Sequence, residues 1–297
     1  MLVIAARLLG RLRQLDLHDN RLEGDIPEEL GRLGALEALS VAGNRLSGLM
    51  PASLARAHGL RRLDVSRNRL GGEVPAALAG LTAVVQLDVG YNLLTASYPA
   101  AEAWLDARQA GWRDTQTVAP EGLAALRLMD AIRLTWTPIA YQAGHGHYEI
   151  GLAATAGGPY PSRGVTANKS QAERLLGSAD PDTAYYVVVR TFSAAAGRQQ
   201  NDLLSSWSAE LAVLPFGVTP TATAKPKVDP LPRVLSTQVR PPMSSHSRRE
   251  MASPSPVPCP TSLVVKKGSK ILARVSRVMP QPLSATTSVG AAVFSRQ

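Results

Sequence analysis

The sequence predicts a multidomain protein: a repeat solenoid with a short parallel β-sheet, an all-β domain, and a C-terminal tail without regular structure. Three observations lead to this expectation. A strict 24-residue period runs through roughly the first hundred residues, short β-rich runs follow between residues 117 and 215, and residues 216–297 are rich in proline and basic side chains. A period of this length is typical of solenoids, in which each unit buries its apolar face against its neighbours.

The period is visible in four segments that begin 24 residues apart. They start at residues 15, 39, 63 and 87 and read LDLHDNRLEGDIPEEL, LSVAGNRLSGLMPASL, LDVSRNRLGGEVPAAL and LDVGYNLLTASYPAAE. Leucine or valine two positions apart, as at Leu15 and Leu17, predicts a short strand with one apolar and one wet face. The asparagine that follows lies where the chain turns inward, and its amide can satisfy backbone groups there. These asparagines are Asn20, Asn44, Asn68 and Asn92.

Glycine and proline columns predict how each unit returns to the start of the next. Glycine permits a sharp bend, and proline fixes φ where we expect the returning chain to have no sheet partner. The glycines are Gly24, Gly48 and Gly72, and the prolines are Pro27, Pro51, Pro75 and Pro99.

The unit LxxLxxLxLxxNxLxGxIP resembles the plant-type leucine-rich repeat. It is matched by LGRLRQLDLHDNRLEGDIP at residues 9–27 and by LARAHGLRRLDVSRNRLGGEVP at residues 54–75. The resemblance covers about residues 1–112 and implies a solenoid whose parallel strands build a concave wall. The fourth unit departs from the pattern at Ala96 and Tyr98, which indicates that the array is ending. The segment AWLDARQAGW then predicts a closing helix that covers the last repeat with Trp104, Leu105 and Trp112.

The N-terminal end shows no polar cap. The segment MLVIAARLLGRL enters the repeat already in phase, so we expect an uncapped first repeat that frays. Its apolar run is about five residues, shorter than a signal peptide requires, and the arginines follow rather than precede it. A fragmentary start at Met1 is the interpretation we favour. No stretch approaches the roughly 18 apolar residues of a transmembrane segment.

Five β-rich runs after the repeats predict an all-β sandwich. They are LAALRLM, AIRLTWTPI, HYEIGLAA, AYYVVVRTF and WSAELAVLP. Their order resembles a fibronectin type III domain over residues 117–215, which implies Pro120 at the first strand, Trp136 as the core tryptophan, Tyr148 in the third strand and Tyr185 as the corner tyrosine. Together the two domains resemble modular bacterial surface and secreted proteins. A secreted or cell-surface location follows from that resemblance, with a cytoplasmic location as the alternative because no signal peptide is visible.

The tail differs in composition from the rest of the chain. Residues 216–297 contain 12 of the 22 prolines and carry a net charge of +10, whereas residues 1–215 carry −1. This composition predicts a disordered chain. The segment SKILARVSRVM has the pattern of a basic amphipathic helix, which predicts a weak contact with anionic surfaces; a solvated spacer is the alternative. Because the folded domains are near neutral, we expect no specific binding of nucleic acid.

Little in the sequence points to catalysis. His145 and His147 have metal-like spacing but no third ligand, and the one cysteine, Cys259, lies in the tail. An aspartate column on the strands faces solvent and offers no apolar site to raise a carboxyl pKa. We therefore expect no enzymatic activity, no cofactor and no metal.

The function that the sequence favours is a non-enzymatic binding module. The concave face would recognise a protein or a glycan, and the fibronectin-like domain would act as a spacer. Strand alternation and the prominence of arginine and tyrosine in binding sites select the candidate residues. The predicted ligand-binding residues are Arg62, Arg67, Tyr91, Asp16, His18, Asp64 and Asp88. Three alternatives stay open: a structural stalk or adhesin segment, the non-catalytic part of a larger receptor or enzyme, and a merely solvated strand face.

Overall fold

The computed structural model describes residues 10–216 and the short strand 262–264. In the N-terminal part, each 24-residue unit contributes two strands of three residues. These strands are β1 (Gln14–Asp16), β2 (Glu23–Asp25), β3 (Ala38–Ser40), β4 (Arg45–Ser47), β5 (Arg62–Asp64), β6 (Gly71–Glu73), β7 (Gln86–Asp88) and β8 (Leu93–Thr95).

The first strand of every unit joins one parallel sheet in the order β1-β3-β5-β7. The register advances by one period at each step, so Arg62 pairs with Ala38 on one side and with Gln86 on the other. This confirms the predicted strands. The second strands pair as β2 with β4 and β6 with β8, two to four residues before the prolines. These strands are not predicted from the sequence, because triplets such as Glu-Gly-Asp carry no apolar alternation. The prolines themselves lie outside the strands.

The prolines that follow these second strands begin short helices. Pro27, Pro51 and Pro75 each precede a 3-10 helix with φ between −70° and −60°, which is the value that the proline ring imposes. The three helices are Glu28–Arg32, Ala52–Arg56 and Ala76–Gly80. The glycines three residues earlier have positive φ, as at Gly24 with 86°, which confirms the predicted bend.

The recurring asparagines form the predicted ladder inside the solenoid. Asn68 is fully buried, and its Nδ2 donates to the carbonyls of Val41, Val65 and Ser66. Its Oδ1 accepts a hydrogen bond from the Leu46 amide at 3.0 Å. Asn44 and Asn92 repeat this arrangement one unit earlier and later. Each asparagine therefore joins two consecutive coils through backbone groups that no strand pairing satisfies.

A helix closes the C-terminal end of the array, as predicted. This helix, α1 (Pro99–Asp106), begins four residues earlier than the predicted segment. Trp104, Leu105 and Trp112 are buried in the same core as the repeat leucines. The end of the solenoid is thus covered by apolar side chains. None of the helices in the described part of the chain is both long and apolar enough to cross a membrane.

The second domain consists of antiparallel strands. They are β9 (Glu121–Arg127), β10 (Ala131–Thr137), β11 (Gly146–Ala153), β12 (Ser162–Val165), β13 (Glu173–Gly177), β14 (Tyr185–Ser193), β15 (Leu203–Leu204) and β16 (Leu211–Val213). One sheet has the order β13-β10-β9, and the other has the order β12-β11-β14, with β15 and β16 both paired to β14. Strands β12, β13 and β15 are not predicted from the sequence, since they are short or half exposed.

The two antiparallel sheets share one hydrophobic core. Trp136 of β10 and Tyr148 of β11 meet edge to face with ring centroids 5.4 Å apart, and both are buried. The Tyr185 hydroxyl accepts a hydrogen bond from the Asp180 amide at 3.1 Å, which ties the start of β14 to the preceding turn. Trp136, Tyr148 and Tyr185 thus occupy structural positions, as the sequence analysis expects.

The N-terminal edge of the parallel sheet is paired, contrary to the expectation of an uncapped first repeat. Strand β17 (Ser262–Val264), from the tail, pairs with β1 in parallel. Leu15 and Leu17 are each only 2 % exposed, so the first repeat buries its leucines nearly as fully as the inner repeats. The predicted disorder of the tail does not hold for these three residues. Residues 1–9, Cys259 and the predicted amphipathic helix lie outside the described residues.

Candidate recognition surface

Within the described residues, one face of the parallel sheet is not covered by any helix or strand, and we call it the strand face. In each strand the central leucine points into the core, and the residues before and after it lie on the opposite side. These residues are half-buried or exposed. The strand face consists of Gln14, Asp16, Ala38, Ser40, Arg62, Asp64, Gln86 and Asp88.

Strands β5 and β7 carry most of the charge on the strand face. Arg62 Nε donates to Gln86 Oε1 at 2.5 Å, and Asp64 pairs directly with Asp88 in the next strand. The Asp64 carboxylate accepts hydrogen bonds from both the amide and the hydroxyl of Ser66. The strand register places Asp64 and Asp88 side by side, and the bonds from Ser66 hold the Asp64 carboxylate.

Burial raises the pKa of the Asp64 carboxyl above its usual value, and the Asp88 charge adds to this effect. The hydrogen bonds from Ser66 oppose the shift without cancelling it. The sequence predicts an ordinary solvent-facing row here, and the half-buried Asp64 departs from it. The flanking strands and the turn at Ser66 remove water from this carboxylate, and a single sequence does not show that.

The other end of the strand face is less charged. Asp16 Oδ1 lies 2.6 Å from His18 Nδ1 in a local contact between two partly exposed side chains. Between this pair and Arg62, strand β3 offers only the small side chains of Ala38 and Ser40. The strand face therefore has small side chains at its centre, with larger polar side chains on either side.

A column of left-handed residues borders the strand face. Asp19, Gly43, Arg67 and Tyr91 occupy the same position in successive repeats and have φ of 52°, 64°, 57° and 57°. Positive φ is uncommon for residues other than glycine. Because all four repeats have it at this position, the turn of each repeat, here called the left-handed corner, requires this backbone conformation. The sequence signal for it is Gly43, which stands where the other repeats have larger residues. Arg67 and Asp19 also lie within 3.6 Å of each other as an ion pair.

This corner contacts the loop between β14 and β15 of the second domain. Asn201 Nδ2 donates to the carbonyls of Asn44 at 2.8 Å and Arg67 at 3.1 Å, and Asn201 is 5 % exposed. Gln200 Nε2 donates to Asp19 Oδ1 at 3.1 Å. The repeat array and the second domain are thus joined by side-chain contacts as well as by the chain itself.

Tyr91 makes a further contact between the domains. Its ring meets that of Tyr141 edge to face, with centroids 5.9 Å apart and an angle of 84° between the planes. Of the predicted ligand-binding residues, the structure brings Arg62, Asp64 and Asp88 together on the strand face. It places Arg67 and Tyr91 against the second domain, and it places Asp16 and His18 at the far margin.

A buried lysine, which the sequence analysis does not single out, lies behind this contact. Lys169 Nζ donates to the Ala143 carbonyl at 2.7 Å and to Ser193 Oγ at 3.3 Å, and it lies 3.9 Å from the Tyr141 ring centroid. Burial lowers the pKa of the Lys169 ammonium to about 8. Thr117 Oγ1 lies 2.9 Å from Ser193 Oγ, so the cluster reaches the linker between the domains.

The predicted histidine pair has a packing contact. The His147 ring lies against Phe192, with centroids 5.0 Å apart. Among residues 10–216, no three His, Cys, Asp or Glu side chains are grouped as a metal site would need.

A second concave region lies between the domains, away from the strand face. It is a cleft of about 480 Å³ beside β8 and the segment before β16. Its walls include Leu93, Val118, Pro120, Leu204 and Trp207. Trp207 is held in place by Arg190, whose guanidinium carbon lies 4.1 Å from the ring centroid.

The coils and their shared core define a solenoid. Residues 34–94 match the family model described as Leucine rich repeat, and residues 11–33 match a second model described as Leucine Rich Repeat. Residues 11–94 are therefore a leucine-rich repeat array. No match was found among curated proteins.

Similar solved structures include three from Arabidopsis. One is the BIR3–SERK2 complex, with 33% identity over 31% of this chain and 50% of that chain and a TM-score of 0.30. Another is the GASSHO1/SCHENGEN3 ectodomain with CASPARIAN STRIP INTEGRITY FACTOR 2, with 34% identity, 33% and 12% coverage and a TM-score of 0.31. The receptor kinase HAESA with the peptide hormone IDA and SERK1 has 39% identity, 29% and 14% coverage and a TM-score of 0.28. The chain spans half or less of the length of these three proteins.

Proposed function

We propose that this protein is a non-enzymatic binding module whose strand face recognises a protein ligand. The observation that carries the proposal is the side-by-side pair of Asp64 and Asp88 next to Arg62. Neither carboxylate has a salt-bridge partner among the described residues, and the Asp64 carboxylate is partly desolvated. A basic side chain placed between the two aspartates would relieve their repulsion.

A polypeptide suits this surface better than a compact ligand. The strand face is a row of in-register positions with small residues at its centre, so an extended chain can lie across several strands. Arg62 supplies a fork of donors for a backbone or side-chain acceptor of that chain. A glycan is the alternative ligand from the sequence analysis. The Asp64–Asp88 pair favours a cationic partner over it.

The second domain would serve as a fixed support for the repeat array. Two antiparallel sheets around Trp136 and the hydrogen bond from the Asp180 amide to Tyr185 support a fibronectin type III-like domain. Its loop contacts at Asn201 favour a defined orientation between the domains. We keep the domain limits 1–112, 117–215 and 216–297 as part of this proposal.

The same contacts support the stalk or adhesin segment as a second candidate, because a fixed orientation sets distance as well as presenting a surface. A secreted or cell-surface location and a weak anionic contact through the tail stay predictions. So does membership in a larger receptor or enzyme.

Selection of peptides from a random display library against the full chain tests the proposal. Selected peptides should be enriched in lysine or arginine. The triple variant Arg62→Ala, Asp64→Ala, Asp88→Ala should lose at least about tenfold in affinity for them, since single anchor residues contribute on the order of 1 to 3 kcal/mol.

The matched control is the triple variant Arg56→Ala, Glu28→Ala, Glu29→Ala. It removes the same charges from the 3-10 helices and should bind as the wild type does. If the two triple variants bind the selected peptides equally well, the strand face is not the recognition surface.

A further inference from the structure

The tail strand lies at the outer edge of β1, on the side opposite β3. In β17, Ser262 pairs with Gln14, Leu263 with Leu15 and Val264 with Asp16. Strand β3 pairs with the other edge of β1 in the same pattern, with Leu39 opposite Leu15. Strand β17 is therefore in register with the whole sheet, although it comes from the opposite end of the chain.

The residue types of β17 also follow the repeat. The four repeat strands read Gln-Leu-Asp, Ala-Leu-Ser, Arg-Leu-Asp and Gln-Leu-Asp, with leucine at the centre. Strand β17 reads Ser-Leu-Val, so Leu263 takes the register position of the leucine column. A shift of one residue in either direction would remove leucine from that column, which makes this register the specific one.

Strand β1 needs a partner on this side. A terminal strand presents a row of unpaired amides and carbonyls, and a solenoid without a cap leaves its first coil weakly held. The first coil nevertheless buries Leu12, Leu15 and Leu17 to within 2 % exposure.

We propose that the outer edge of β1 is a strand-addition site for an extended polypeptide running parallel to it, and that its occupant is this chain's own segment Ser262–Val264. The tail thereby supplies the N-terminal cap of the repeat array. About 45 residues separate the end of the second domain from β17, and at about 3.3 Å per residue such a length reaches well past the solenoid. A tether of this kind gives an effective concentration on the order of millimolar, which favours pairing within one chain over pairing between chains.

Cysteine crosslinking in the full chain tests the position of the strand. The pair Gln14→Cys and Ser262→Cys, with Cys259→Ser to remove the native thiol, places two thiols on directly paired residues. Treatment with a short thiol crosslinker should join them within one chain, at a rate independent of protein concentration. The control pair Gln86→Cys and Ser262→Cys lies at opposite edges of the sheet and should react at least about tenfold more slowly.

Equal rates for the two pairs would overturn the proposal. Crosslinks that form only between chains would overturn the assignment to a single chain.

Hydrogen exchange of the full chain gives a second readout that does not depend on cysteines. Leu263→Pro removes one strand amide and should speed the exchange of the β1 amides, whereas Ala252→Pro, placed before the strand, should leave it unchanged. The synthetic peptide PCPTSLVVKKG, added in excess, should restore protection in the Leu263→Pro chain. Identical β1 exchange in the two proline variants would show that the tail is not the cap.

Discussion

Gln116 lies one period after Asn92 and makes the same hydrogen bonds one coil later. Its Oε1 accepts from the Leu94 amide at 3.0 Å, as Asn92 Oδ1 accepts from the Leu70 amide at 3.0 Å. Its Nε2 donates to the Val89 carbonyl. The ladder inside the solenoid thus continues past the last asparagine and ends next to Thr117, whose Oγ1 lies 2.9 Å from Ser193 Oγ of the second domain.

The first prediction concerns this ladder. Asn68→Ala should lower the free energy of unfolding by about 3 kcal/mol, because it leaves several buried backbone groups without partners. Urea denaturation measures the change. The control Gln86→Ala alters an exposed side chain of the strand face and should cost less than about 0.5 kcal/mol. Equal effects of the two substitutions would show that the ladder does not stabilise the array.

The second prediction concerns the contact between the domains. Tyr91→Phe should be mild because it keeps the ring, whereas Tyr91→Ala and Tyr141→Ala each remove one half of the edge-to-face pair. The double-mutant cycle should give a coupling free energy of about 1 kcal/mol. A coupling of zero would indicate that the two rings do not contribute to the joint between the domains.

The third prediction uses the pKa of Lys169. The folded-state pKa of about 8 lies below the ordinary value of 10.5, so the unfolded chain binds more protons between these pH values. The free energy of unfolding should therefore rise from pH 8 to pH 10.5 in the wild type relative to Lys169→Met. Denaturation of both proteins across this range measures the difference. A pH-independent difference would mean that Lys169 titrates normally.

The fourth prediction concerns the Asp64 carboxyl. Its pKa is raised in the folded state, so its ionised form costs stability at neutral pH, and this cost disappears once the pH falls below the unfolded-state value. Asp64→Asn should thus be more stable than the wild type at pH 7, and its advantage should vanish toward about pH 3. The control Asp182→Asn makes the same carboxylate-to-amide change at an exposed turn. A variant that is less stable at pH 7 would contradict the assigned shift.

The sequence predicts the coils of the repeat array better than it predicts the left-handed corner and strand β17. The spacing of leucine, asparagine and glycine determines the coils, because each such residue has one structural role in every period. The left-handed corner at Arg67 and Tyr91 has Gly43 as its one sequence signal, since its other three residues are not glycine and share no chemistry. Strand β17 is hidden, because three residues in a proline-rich tail carry no periodic signal and their partner lies more than 240 residues away.

The candidate site is predicted in part for a similar reason. Strand alternation identifies Arg62, Asp64 and Asp88 as neighbours on one face, and the structure agrees. Strand alternation predicts which face of the sheet a side chain occupies, but it does not predict which other parts of the chain contact the residues after the strand. The sequence therefore predicts that Arg67 and Tyr91 are available to a ligand. In the structure the Arg67 carbonyl accepts a hydrogen bond from Asn201, and the Tyr91 ring packs against Tyr141.

Chemical-shift mapping with a selected basic peptide tests the central claim most directly. On titration into the isotope-labelled full chain, the largest shifts should fall on the amides of β3, β5 and β7, around Ser40, Asp64 and Asp88. Smaller shifts should appear in the 3-10 helices and in the cleft beside Trp207. Shifts concentrated in that cleft, with the strand amides unchanged, would contradict recognition by the strand face.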